Sequence, residues 1–160
     1  MITEAEVYQA LEEVRDPEIP VISVVDLGII RDVLIASDGG VTVQLTPTFA
    51  GCPAIHQMKD DILRVLKDHG ASDTRVDVMY NEPWSSNLIS PKGRQILKDF
   101  GLSPPPAFDG MLTLEVLENA VCPKCSSNNT YLISPFGPTA CRAVHHCRNC
   151  QETFQQFKPL

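Results

Sequence analysis

Apolar residues recur at Val7, Ala10, Leu11 and Val14, the three- and four-residue spacing that turns one face of an α-helix toward a core. The helix has a legible start, since Thr3 and Glu6 stand at the spacing of a capping box and Ile2 and Val7 at that of a hydrophobic staple. It stops at Asp16-Pro17-Glu18, because Pro17 lacks an N–H and disfavours helical geometry at Asp16. After a loop to Leu27-Gly28 the period shortens. Ile29 to Ile35 is rich in branched residues, and Val41, Val43 and Leu45 alternate with polar neighbours, so two strands are expected around a turn at Ser37-Asp38-Gly39-Gly40. A second helical stripe, Ile55, Met58, Ile62, Val65 and Leu66, predicts a helix from Cys52-Pro53 to Gly70. Arg75 to Tyr80 predicts a third strand. Ser90-Pro91 caps a short helix that Gly101 closes after Ile96, Leu97 and Phe100.

Ser103-Pro104-Pro105-Pro106 interrupts every period and places the expected boundary. The predicted organisation is an α+β domain over residues 1–103, a proline-rich connector over 104–119 and a cysteine module over 120–160. The first part reads as a small three-stranded sheet covered by helices. Tyr131 to Ser134 and Thr153 to Phe157 supply the short strands of an appended zinc ribbon.

Composition narrows the function classes. No apolar run approaches the about 18 to 20 residues that cross a bilayer, and the first residues lack a signal peptide's basic and apolar regions, so no membrane contact and a cytoplasmic location are expected. Residues 121–160 carry Lys124, Arg142, Arg148 and Lys158 against Glu152 alone, a balance of +3; the whole chain carries −7, leaving −10 on residues 1–120. An acidic body of that sort repels phosphates, and nucleic acid is not an expected partner.

Six cysteines in a reducing compartment favour metal or thiol chemistry over disulfides. Cys122 and Cys125 form one C-x-x-C pair and Cys147 and Cys150 another, 21 residues further on. A two-residue spacing aims both thiolates of a tight turn at one ion, and two such turns complete a tetrahedron around zinc. Four sulfur ligands leave no open position, so the zinc is expected to be structural. Iron-sulfur clusters use the same donors and stay open as the alternative. Cys141, His145 and His146 flank the second pair and could replace a ligand; the simpler reading is a buried thiol and two surface imidazoles.

Cys52 stands apart from the module. At a helix start its thiol would face unpaired N–H groups that stabilise a thiolate, lowering its pKa below the roughly 8.5 of a free thiol. The alternative is a small apolar residue packed under the helix. Asp16 and Glu18 bracket Pro17, and one of them approaches Cys52 if the first loop folds over the second helix; a plain turn is the other reading. His56, four residues after Cys52, could serve as the base a thiol enzyme would need; a surface or core imidazole is the commoner reading. No nucleophile elbow, phosphate-cradling glycine loop or H-E-x-x-H helix is present, nor the Glu-x-x-His pairs of a di-iron oxygenase.

Asp16-Pro17-Glu18 with Ile19-Pro20-Val21, then Asp26-Leu27-Gly28, then Thr46 through Gly51-Cys52-Pro53, resemble the SufT-like family of iron-sulfur assembly factors, and Trp84, Gly93-Arg94 and Gly101 through Pro105 extend the likeness. The appended ribbon, with Phe136-Gly137 and Thr139-Ala140-Cys141 before its second pair, makes the chain similar to the accessory components encoded with bacterial phenylacetyl-CoA epoxidase. The resemblance implies the SufT-like fold and a non-enzymatic maturation role, assembling iron or iron-sulfur centres in the oxygenase or reductase component. It makes Cys52 the reactive thiol and assigns Asp16 and Glu18 to an acidic motif. The implied cofactors are structural zinc and a transient iron or iron-sulfur cluster. A stable, non-catalytic subunit of the oxygenase complex is the alternative, and self-association stays open.

Overall fold

A computed structural model describes residues 1–160, which divide into two compact units, Met1–Trp84 and Ser85–Leu160. In the first unit, α1 (Glu4–Leu11) forms behind the expected capping box: the Glu6 amide donates to Thr3 Oγ1 at 3.3 Å while the Thr3 amide donates to Glu6 Oε2 at 2.8 Å. Its stripe of Val7, Ala10 and Leu11 is buried. Strands β1 (Ile30–Ile35) and β2 (Val41–Leu45) pair antiparallel around the Gly-Gly turn, where Ala36 N–H donates to Gly40 O at 2.8 Å. Then α2 (Ile55–Asp68) carries the chain over to β3 (Thr74–Val78), parallel to β2. The sheet order is β1-β2-β3, with alternate β2 residues Val41, Val43 and Leu45 buried. Helix α2 packs on α1 and β3 through Met58, Ile62, Val65 and Leu66.

One boundary differs from the expectation, because α2 begins at Ile55 and not at Cys52. Between Phe49 and Ile55 the backbone satisfies itself with short turns, Cys52 N–H to Phe49 O at 3.2 Å and Ile55 N–H to Cys52 O at 3.3 Å. The first four-residue helical bond is Met58 N–H to Ala54 O at 3.0 Å. Gly51, with φ of 84°, supplies the left-handed residue that admits this loop.

The second unit opens with a single 3-10 turn (Ser86–Leu88) and α3 (Pro91–Asp99), capped by Ser90 Oγ accepting from the Gly93 amide at 2.8 Å. A two-residue strand β4 (Leu102–Ser103), a single turn α4 (Leu114–Leu117) and strands β5 (Thr130–Ser134), β6 (Arg142–Cys147) and β7 (Thr153–Phe157) follow. The sheet order is β4-β7-β6-β5. The proline run is therefore not where the compact units part. Leu102 and Ser103 pair with Gln155 and Gln156 of β7, Ser103 Oγ donates to Val121 O at 2.7 Å, and Arg94 donates to the carbonyls of Ser86 and Pro105. Residues 85–103 thus belong with the ribbon instead of the first domain.

Ile62 is fully buried on α2. Ile62→Ala should destabilise the first unit by about 2–5 kcal/mol, read from urea unfolding, and leave the zinc content of the second unchanged.

Candidate functional site

Two constellations carry chemistry, one in each unit. In the second, the two C-x-x-C pairs form matching turns. Ser126 N–H donates to Cys122 O at 2.8 Å and Gln151 N–H to Cys147 O at 3.0 Å; Cys122 N–H donates to Ser127 O at 3.0 Å and Cys147 N–H to Glu152 O at 2.8 Å. The residue after each second cysteine is left-handed, Ser126 at φ 62° and Gln151 at φ 63°. A position where glycine would be easiest is therefore held by ordinary residues, at a modest cost that the repeated hydrogen bonds offset.

These turns bring all four Sγ atoms within 4.8 Å of one another, with Cys122 and Cys150 at 3.7 Å and Cys125 and Cys147 at 3.6 Å. Zinc–sulfur bonds of about 2.3 Å require tetrahedron edges of about 3.8 Å, so the donor set fits one zinc ion. Sulfurs this close enclose a single ion, whereas a polynuclear cluster would push them apart. Without a cation the thiols oppose one another. Cys125 is held down to about 6, first by the Asn149 amide and then by the Ser127 N–H. Cys150 is pushed up to about 12: the Glu152 N–H lowers it, but burial and the three neighbouring sulfurs outweigh that bond. A divalent cation removes the conflict by favouring all four thiolates together.

The flanking candidates are not part of the cluster. Cys141 is buried with Thr139 Oγ1 3.1 Å from its Sγ, and His146 has Thr153 and Gln151 oxygens at 3.1 and 3.2 Å. His145 is not the surface imidazole expected. It is fully buried on the inward face of β6, stacked on Phe154 with Nε2 3.0 Å from Gln156 Oε1, and burial lowers its pKa.

In the first unit Asp16 organises the loop after α1. Its Oδ1 accepts from the amides of Glu18 at 2.7 Å and Ile19 at 3.0 Å, an Asx turn that keeps the carboxylate buried. Cys52 is 6% exposed. The loop does approach it: both Asp16 and Glu18 act electrostatically on the Cys52 thiol, and Thr48 hydrogen-bonds it. The expected lowering of the Cys52 pKa is overturned. Burial pushes the thiol up, the two carboxylates push it further, and hydrogen bonds from Ala54 N–H and Thr48 only partly oppose them. Burial outweighs the helix-start amide of Ala54 that bonds the sulfur, α2 itself beginning three residues after Cys52. His56 is exposed on α2, so the groups that tune the thiol are carboxylates and not an imidazole.

Sequence reasoning missed Arg31, and it singled out Trp84 without finding its partner. Arg31 on β1 donates to Thr46 Oγ1 and to Pro83 O, each at 3.0 Å, and buried Trp84 donates to Leu27 O at 3.1 Å. These bonds tie three segments of the family-like pattern together. A lone arginine within a strand offered no periodic signal by which to find it.

Two outcomes follow. Cys125→Ser or Cys147→Ser should release zinc and lose the ordered NMR signals of the ribbon, while the first unit stays folded; full zinc retention in either variant would contradict the site. Alkylation of Cys52 should accelerate with pH through an inflection above that of a free thiol, because burial beside two carboxylates penalises the thiolate; an inflection below about 8.5 would contradict the geometry.

Comparison with known proteins agrees with both halves. A family model described as iron-sulfur cluster assembly protein matches residues 4–78, and one described as PaaD zinc beta ribbon domain matches residues 110–158. The chain is 35% identical over 153 residues to an Escherichia coli protein provisionally named as a subunit of 1,2-phenylacetyl-CoA epoxidase, covering 96% of this chain and 91% of that one. An Fe-S protein maturation auxiliary factor of Porphyromonas gingivalis is 36% identical over 89 residues, 55% of this chain and 84% of that one. Among solved structures, a Bacillus anthracis domain of unknown function aligns with a TM-score of 0.56 at 31% identity, over 59% of this chain and 90% of that one. Similar along nearly its whole length to the Escherichia coli protein, with a thiol-bearing α+β unit followed by a four-cysteine ribbon, the chain belongs to the PaaD family.

Proposed function

We propose that this chain is an accessory factor of the phenylacetyl-CoA epoxidase system that helps assemble iron or iron-sulfur centres in the oxygenase component or its reductase. It is an accessory protein and not the oxygenase. The observation that carries the reading is the separation of two sulfur sites of opposite character. The ribbon's four sulfurs suit a closed structural site with no place for cargo. Cys52 is a single buried thiol that feels the charge of two carboxylates and belongs to no closed ligand set, a setting suited to transient contact.

The charge of the site supports the same role. Burial and two carboxylates keep Cys52 protonated and unreactive while no cargo is present. An arriving iron cation, attracted by Asp16 and Glu18, would favour the thiolate and displace its proton. Cys52 would then ligate the cargo, and its passage to a client protein would restore the thiol. Zinc would hold the ribbon without taking part in this exchange. The Fe-S maturation factors among the relatives fit this reading. A second reading, a stable non-catalytic subunit of the oxygenase complex, is favoured by the name of the Escherichia coli relative.

Expression of the epoxidase components with and without this chain, followed by purification free of it, tests both. Iron content and turnover should be low without it, and a preparation matured with it should keep working after its removal. Full metallation and activity without it would end the maturation reading. Activity that needs it added back at a fixed ratio would establish the subunit reading. In anaerobically purified protein, Cys52→Ser should lose bound iron and keep zinc.

A further inference from the structure

The ribbon sheet has one face buried and one open. Along β6, Ala143, His145 and Cys147 are buried, while Val144 and His146 on the opposite face are partly exposed. Strand register carries that open face across the sheet: Val144 lies opposite Gln155 of β7, and His146 lies between Thr153 of β7 and Tyr131 of β5. At its β4 end lies a cleft of about 590 Å³, floored by Arg142, Val144 and Gln155 and rimmed by Lys98 and Phe100 at the end of α3 and by Lys124 of the first metal turn. Arg142 is held on the floor by Gln155 Oε1, 3.0 Å from its Nη1.

Apolar and cationic groups alternate over this face. Phe100 is 46% exposed at the rim and Tyr131 40% exposed at the β5 edge, where the Arg148 guanidinium lies 4.6 Å from the Tyr131 ring. Lys98, Lys124, Arg142 and Arg148 stand against Asp99 and Glu152, the latter engaged by Lys124 at 2.9 Å. A face with a cationic surplus and exposed aromatics, on a chain of net charge −7, is complementary to an acidic segment with an apolar anchor. Nucleic acid fits less well. Phosphate binding calls for several uncommitted cations, and here Lys124 is paired with Glu152, Arg142 is buried and bonded to Gln155, and two acids share the face.

We propose that the open face of the ribbon sheet docks an acidic, extended segment of the client protein, with an apolar side chain seated in the cleft between α3 and β6. The inference rests on the maturation reading for the identity of the client, not for the existence of the face.

Binding of the purified oxygenase component to full-length chain, by biolayer interferometry over a salt series, tests it. The double variant Lys98→Glu with Phe100→Ala should bind at least tenfold more weakly, with zinc content and thermal midpoint unchanged. Lys67→Glu on exposed α2 gives the same net charge and should bind as the parent does. Lys98→Ala alone replaces the double variant should the latter lose zinc, and should bind several-fold more weakly. Binding by these variants within twofold of the parent, no binding by the parent, or competition by a single-stranded dT oligomer as effective as excess client would overturn the proposal. Iron loading of the oxygenase, measured in parallel, separates the two ideas. Loading that depends on Cys52 but ignores the ribbon variants leaves the maturation role standing without this docking face, and loading that never depends on the chain removes the maturation role itself.

Discussion

Four cysteine sulfurs held within 4.8 Å of one another set a charge problem on which the second unit depends. Ionised together without a cation they repel, and left protonated they form only weak sulfur hydrogen bonds. A single divalent ion turns the same cluster into the strongest set of bonds in the unit. The surrounding core shows why this matters: Cys122 and Cys147 are themselves half of the buried cluster they form with Ala120 and Phe154, and Cys125 and Cys150 pack against it. The ligands are thus part of the core, along with Leu97, Leu102, Ala143 and Phe157. With a two-residue β4 and strands of five or six residues, the ribbon is a short-stranded module of the kind that a metal commonly holds together.

The first unit solves a different problem by ordinary means. Its apolar residues suffice for a core without a metal. Asp16 is buried because two backbone amides satisfy it, and that turn brings the acidic loop toward Cys52. Arg31, bonded to Thr46 Oγ1 and Pro83 O, and Trp84, bonded to Leu27 O, join segments distant in sequence. The result is a thiol whose surroundings oppose ionisation. Such a thiol differs from the activated nucleophile of a cysteine enzyme, where a neighbouring cation or imidazole stabilises the thiolate in advance.

The two sulfur sites differ in kind, four gathered thiols in one and a single buried thiol in the other. A complete tetrahedron stabilises and exchanges nothing, whereas under the proposed role a lone thiol near carboxylates would hold cargo weakly enough to pass it on. The charge asymmetry follows the same division, with the acidic surplus on residues 1–120 and the basic surplus on 121–160.

Local patterns determined much of this from the sequence alone. The capping box at Thr3, the hairpin glycines, the stripe of α2 and the paired C-x-x-C spacing each depend on residues close in sequence, and each reads directly into geometry. Tertiary structure decided what depends on distant partners. Ser103 joins the ribbon because β7, some fifty residues later, offers it an edge. His145 is buried because strand alternation across β6 and β7 turns it inward, which its own neighbours in sequence do not reveal. Cys52 shows the difference most sharply: its sequence context suggested a helix start and a lowered pKa, yet local turns delay the helix to Ile55, and burial beside Asp16 and Glu18 reverses the shift. Desolvation and electrostatic fields are set by what surrounds an atom in space, and for Cys52 those surroundings come from a loop more than thirty residues away.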